Sequence, residues 1–269
     1  MKRRCCLLLV VFTLAVLLIP MNASADDPKA RGIMQKVEDR DDGDNQTTNM
    51  LMTLIDKNKD VRKKYFKNFR KDYGKDTKTI MFIERPANIK NTGFLSYDYD
   101  DADKDDDQWL FLPALGKTKR IASSDKSGSY MGSDLNYSDL TDMELEDYDF
   151  KLLKETTLSG HKVWLIEALP RSEDVIDETG YKKEILAVRQ DNYVVIKGKS
   201  WTDDGGYVKI MDVKKLELIE NIWVASEMHV VKRQGKVIKH QTHLQFSNIK
   251  FNQNLEDDLF TIRRLEKGL

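Results

Sequence analysis

From Met50 almost to its end the chain keeps one period: short runs in which apolar and polar residues alternate, separated by turn sequences. Alternation puts successive side chains on opposite sides of a strand, so each run presents one apolar face. Met50, Met52 and Leu54 alternate along one run, and Asp56-Lys57-Asn58-Lys59-Asp60 turns into a second bearing Val61, Tyr65 and Phe69. Further runs cover residues 77–84, 94–99, 109–112, 148–156, 162–169, 184–189, 193–201, 207–211, 221–231 and 237–251. Leu158-Ser159-Gly160-His161, Asp203-Asp204-Gly205-Gly206 and Gln234-Gly235-Lys236 are tight-turn sequences that join neighbours into hairpins. Roughly eleven strands in succession, with helices only at the margins, predict a mainly β fold. Its core is one large, strongly curved antiparallel sheet.

The apolar face is expected to carry Met81 and Ile83, Trp164 and Ile166, Val194 and Ile196, Val208 and Ile210, Val224, Met228 and Val230, Leu244 and Phe246. Lys197, Lys199, Lys209, Glu227, His229, His243 and Gln245 fall on the opposite parity, expected to face water. Little is available to cover so much apolar surface. One amphipathic helix precedes the strands: Asp27 suits its N-cap, Pro28 its first position, and Ala30, Ile33, Met34 and Val37 form its stripe. Either the sheet closes on itself or it stays half open around an apolar cavity.

The first residues set the compartment. Lys2, Arg3 and Arg4 precede an apolar run from Cys5 to Ile19, and Ala23-Ser24-Ala25 supplies small residues at a cleavage site. These are the parts of a secretory leader, and the run is short for a membrane span. Residues 1–25 are therefore read as a cleaved signal peptide and 26–269 as one carrier domain without an internal boundary. Loss of the three basic residues takes the formal net charge from −1 to −4, which offers nothing to nucleic acid. Both cysteines, Cys5 and Cys6, go with the leader, so an exported chain must hold itself together by burial alone.

The residues do not assemble into an obvious catalyst. The acidic run from Asp98 to Asp107 fails the calcium-loop pattern, because a start at Asp101 puts Asp106 where glycine is required and Leu112 in place of the closing glutamate. It is expected to be a solvated hairpin tip. His240 and His243 are three apart and do not share a strand face, and a zinc site is not expected. No G-x-S-x-G elbow is present, and Trp164, Trp201 and Trp223 suit core packing better than a sugar platform. A binding protein, without cofactor or metal, is the expectation.

Three stretches, ARGIMQKVEDRDDGD, GFLSYDYDDADKDDDQWLFLPALGKTKRIASSDKSGSYMGSDL and the terminal DDLFTIRRLEKG, resemble the periplasmic outer-membrane lipoprotein-sorting proteins. The match is to a LolA/LolB-like branch associated with RND-type exporters, and it spans Ala30 to Leu265. It implies a half-open antiparallel barrel whose helices plug an apolar cavity that takes up acyl chains of a lipid or lipoprotein. On that reading Met81, Trp109, Phe111, Trp164, Ile166, Val224, Met228 and Phe246 line the cavity, with Leu110 and Leu112 the alternatives on their strand. The Ser/Gly segment 123–132 is then a mobile lid or partner loop. Lys117, Lys119, Arg120 and Lys126 are placed near acidic headgroups or in transient contact with a membrane surface. The implied role is a periplasmic carrier working with an RND-type inner-membrane exporter. The alternative on the same fold is a sensor that binds lipid or misfolded protein without transporting it.

Overall fold

The computed structural model describes residues 26–101 and 104–269; the leader 1–25 lies outside the described residues. Thirteen strands form a single antiparallel sheet. They are β1 (Asn45–Asp56), β2 (Val61–Tyr73), β3 (Asp76–Arg85), β4 (Gly93–Asp98), β5 (Asp107–Leu112), β6 (Lys117–Ile121), β7 (Tyr148–Leu158), β8 (His161–Pro170), β9 (Tyr181–Arg189), β10 (Val195–Thr202), β11 (Val208–Ile219), β12 (Ile222–Gln234) and β13 (Val237–Phe251). Tight turns make the hairpins. Between β7 and β8, Ser159 and Gly160 both adopt positive φ (51° and 82°), the geometry that matches the twist of the paired strands.

The spatial order β6-β5-β4-β3-β2-β1-β13-β12-β11-β10-β9-β8-β7 has one consequence that governs everything else. β6 and β7 are consecutive in the chain and occupy opposite edges of the sheet. Thirteen strands at about 4.8 Å spacing would set those edges roughly 55–60 Å apart if the sheet were flat. Residues 122–147, folded into short 3-10 turns, bridge them, and the sheet curves without closing into a barrel. The sheet therefore has an inner face, crossed by this segment, and an outer face.

Two packed regions fill the inner face. At one end the helix α1 (Pro28–Glu38) lays Ala30, Ile33 and Met34 on Phe150, Ile166, Ala168 and Val188 of β7–β9. Asp27 caps it as expected, accepting from Lys29 N at 2.9 Å, and Pro28 occupies its first turn. The same N-terminal segment covers the exposed edge of β7, with Asp27 N donating to Phe150 O at 2.8 Å and Phe150 N donating to Asp26 Oδ1 at 2.9 Å. At the other end the crossing segment drives Tyr130 among Phe66, Phe94 and Met81, beside Met52, Leu54 and Leu244. Tyr130 meets Phe94 and Tyr137 edge-on at 5.3 and 5.6 Å between ring centroids.

The outer face is not simply wet. The C-terminal helix α3 (Ile262–Lys267) and the turn before it set Leu265 and Phe260 on Ile80, Phe82 and Leu95. Gly93 makes this approach feasible, since a Cβ there would lie 2.6 Å from Leu265 Cδ1. A smaller outer cluster joins Val163, Ala187, Val194 and Ile196 with Trp223. Val194 and Ile196 thus lie opposite the face expected of them, because a bulge between Val195 and Lys197 reverses the local parity. Val208 and Ile210 are also on the outer face, paired with Trp201 and Lys199, and it is Lys209 that points inward and is buried. Residues 117–121 form β6, the Ser/Gly segment 123–132 forms short turns whose buried residues are Lys126 and Tyr130, and a third helix, α2 (Glu173–Thr179), follows β8. No helix among the described residues is long and apolar enough to cross a membrane.

Candidate functional site

Between the two inner clusters the crossing segment stands off the sheet and leaves a cavity of about 380 Å³. That is in the lower part of the roughly 300–1,000 Å³ range of ligand pockets. Its floor is one register row, Leu186 on β9, Gly198 on β10, Met211 on β11 and Val230 on β12, with Met228 beside it. Gly198 explains why the space exists: a side chain is missing at the middle of the row, and a Cβ there would make only ordinary contacts, 3.6 Å to Met211 and 3.7 Å to Leu186. Leu135, Met143 and Val175 add apolar atoms from the covering side.

The adjoining row is polar. Glu184 of β9, Ser200 of β10 and Lys209 of β11 stand side by side, and all three line the cavity. Ser200 donates its hydroxyl to Glu184 Oε1 at 2.5 Å. Lys209 Nζ donates to Asn136 Oδ1 at 2.7 Å and to Tyr181 OH at 2.9 Å, and lies 3.9 Å from Asp139. Tyr181 OH in turn donates to Asp139 Oδ2 at 2.8 Å. Burial dominates the protonation of this network. It pushes the Glu184 carboxyl up to about 7, against the Ser200 hydrogen bond. It also raises Asp139 and lowers Lys209 despite their mutual attraction. Lys209 and Asp134 also line a second hollow of about 320 Å³, where Asp134 accepts from Thr242 at 2.7 Å and pairs with His240 at 2.8 Å.

Further out, Asp106 and Glu144 line the cavity and meet Asp98, their carboxylate oxygens within 4.8 Å of one another. The acidic run is thus not all solvated tip: Asp98 and Asp106 turn inward and are half-buried. Burial first, then the neighbouring carboxylates, raises Asp98 to about 8 and Glu144 to about 7.

The residues expected to line a cavity divide three ways. Met228 alone of them lines it. Met81 and Phe246 belong to the cluster that Tyr130 fills, while Trp164 and Ile166 lie under α1. Val224 is half-buried and is not among the lining residues, a shift in strand pairing separating it from Met228. Trp109 and Phe111 are corrected outright. Trp109 pairs with Leu95 and both pack in the outer cluster with the C-terminal segment, so Leu110 and Leu112 are the inward residues of β5. Of the four basic residues, Lys126 is only 1% exposed and pairs with Glu178 of α2, so it cannot meet a headgroup. Lys117 and Lys119 share one parity of β6, and Arg120 has the other, bound to Asp107; they form no common patch. Segment 123–132 is a packed plug, because Tyr130 and Lys126 anchor it.

This arrangement, a curved open antiparallel sheet with helices and a crossing segment over its inner face, defines a LolA-like fold. A family model described as "Uncharacterized protein" matches residues 75–267, and the chain belongs to that family. Among solved structures it is similar to an outer membrane lipoprotein-sorting protein domain from Vibrio parahaemolyticus, with 27% identity, 88% of this chain and 98% of that chain covered, and a TM-score of 0.80. It is also similar to a DUF1329 family protein from Desulfovibrio piger, with 24% identity, 90% and 99% covered, and a TM-score of 0.81. A LolA superfamily protein from Nitrosomonas europaea shares the fold at 18% identity, with 87% and 98% covered and a TM-score of 0.64. No curated protein matches the chain.

Proposed function

We propose that the protein, freed of residues 1–25, is a periplasmic carrier in a Gram-negative bacterium. It takes up acyl chains of a lipid or lipoprotein and hands them on toward the outer membrane, with an RND-type exporter as the partner that loads it. The observation that supports this reading is the cavity itself. A preformed space with the apolar floor Leu186, Met211, Met228 and Val230 is held open under covering residues in a LolA-like fold. The Vibrio domain, named for lipoprotein sorting, is similar over nearly its whole length.

Each methylene buried on such a floor contributes about 0.8 kcal/mol, a rise in affinity of roughly fourfold. Fluorescent acyl probes of increasing chain length should therefore bind the purified protein with stepwise lower Kd until the cavity is full. Met228→Asp should abolish binding in a protein that still melts cooperatively. Failure of every chain length to bind would overturn the carrier reading. Native mass spectrometry of protein from its own periplasm, followed by lipid extraction, would identify the cargo.

A further inference from the structure

The charges around the cavity are strongly unbalanced. Nine carboxylates line it, against Lys104 and Lys209. Three are paired: Asp139 with Lys209, Glu178 with Lys126, and Asp134 with the His240 ring through a hydrogen bond. Among the described residues the other six make no ion pair. The innermost of these, Glu184, is only 8% exposed, and its one side-chain hydrogen bond is the donation from Ser200. A carboxyl so deeply buried, with no cation within ion-pair distance, either holds a proton or takes its compensating charge from whatever enters the cavity.

Glu184 also sits at a chemical boundary. Its strand neighbour two residues on is Leu186, the first residue of the apolar floor, and both line the same cavity. An occupant that satisfies both rows must be apolar along one end and a cationic hydrogen-bond donor at the other. An anionic head would meet Glu184, Asp106, Glu144 and Asp147, while the two cations of the lining are engaged elsewhere: Lys209 by Asn136, Tyr181 and Asp139, and the exposed Lys104 over the ring of Tyr99.

We propose that the cavity takes an amphiphile whose head bears an ammonium group. The tail lies on the floor of Leu186, Met211, Met228 and Val230, and the head against Glu184 and the half-buried carboxylates of the covering side. This rests on the carrier reading and narrows it to a class of cargo: acyl or alkyl chains with an amine at the head, in preference to fatty acids or anionic phospholipids.

The test is calorimetric titration of the purified protein with three probes of one tail length, dodecylammonium, dodecyl maltoside and dodecanoate, each below its micellar concentration. Dodecylammonium should bind about tenfold or more tightly than dodecanoate, as expected for a charge-assisted hydrogen bond in a desolvated site. Glu184→Gln should remove most of that preference and leave the maltoside unchanged. Glu144→Gln, at a half-buried position that tolerates an amide, is the second variant and should reduce the preference in part. If dodecanoate binds as well as dodecylammonium, or neither variant alters their ratio, the head-group inference is wrong while the carrier reading stands. If none of the three binds, both fall.

Discussion

Lys126, on the segment that crosses the inner face, is 1% exposed and holds Glu178 of α2 at 2.5 Å. This pair clamps the crossing segment to the helix beside the cavity, and Asn136 Nδ2 adds a bond from the same segment to Thr179 O at 2.7 Å. Removing the lysine leaves a partly buried carboxylate without its cation and a hole where the side chain was. Lys126→Ala should lower unfolding free energy by about 2–3 kcal/mol, somewhat below a fully buried pair because Glu178 is a third exposed. Lys119→Ala, which breaks a pair exposed on both sides, should change it by less than about 0.5 kcal/mol. Urea denaturation of the two variants checks the contrast.

Tyr130 is the largest side chain the crossing segment buries, yet its hydroxyl meets only Met81 Sδ at 4.0 Å. Tyr130→Phe should be close to neutral. Tyr130→Ala should cost about 3–5 kcal/mol and open new space beside Met81, so the best-bound acyl probe should become longer.

Gly198 is the position from which the cavity can be closed without disturbing the sheet. Its φ is not in the left-handed region, and a Cβ meets its neighbours at ordinary distances. Gly198→Leu should fill the floor, keep or raise the melting temperature, and weaken probe binding more than tenfold, a difference of about 1.4 kcal/mol. A loss of binding accompanied by unfolding would show that the glycine serves the strand and not the cavity.

Trp109 and Phe111 support the outer face with Phe260 and Leu265. Alanine at either should destabilise the fold by about 2–4 kcal/mol, within the range for large-to-small changes in partly buried sites. Probe affinity should stay within about twofold, a change of roughly 0.4 kcal/mol. A large effect on affinity would place these side chains in the binding path after all.

Stability should also fall as pH rises from about 5 to 8. Glu184 and Glu144 titrate near 7 and Asp98 near 8 in the folded chain, each above its ordinary value because burial disfavours the charge. The folded state then holds more protons than the unfolded one across this window. Their stabilising effect is complete below the ordinary carboxylate range and is lost as pH passes 7 to 8. Glu184 does so facing Asp139, Lys209, Tyr148 and Tyr181. His229, lowered by burial and by His243, acts in the opposite sense. Comparing Glu184→Gln with the parent isolates the carboxyl: the variant's melting temperature should fall less between pH 5 and 8.

The regular parts of this architecture were legible because strand alternation and turn chemistry are local. Asp27-Pro28 marked the helix start, Ser159-Gly160 marked a hairpin, and the stripe Ala30-Ile33-Met34 announced a partner surface that proved to be Phe150 and Ile166. What failed depends on the far side of the fold. Residues 109–112 are apolar at every position, so alternation assigns Trp109 to neither face, and nothing near it in sequence says that Leu265 will cover the outer one. One bulge at Ile196 suffices to reverse a parity assignment. Glu184, Lys209 and Asp139 read as ordinary surface charges until the topology folds them under residues 122–147. A sequence signal for the cavity was present in Gly198, the lone glycine inside an alternating run, but it gains meaning only beside Leu186 and Met211.

Because β6 and β7 are neighbours in the chain and opposite edges in space, residues 122–147 behave as a belt of fixed length around the sheet. A belt sets girth. Fully extended, a stretch of this length would outreach even the flat sheet, so it is the folded turns, gripped through Lys126 and Tyr130, that hold the strands at their present spread and set the room left for an occupant. Loosening those grips would widen the cavity without altering a single strand.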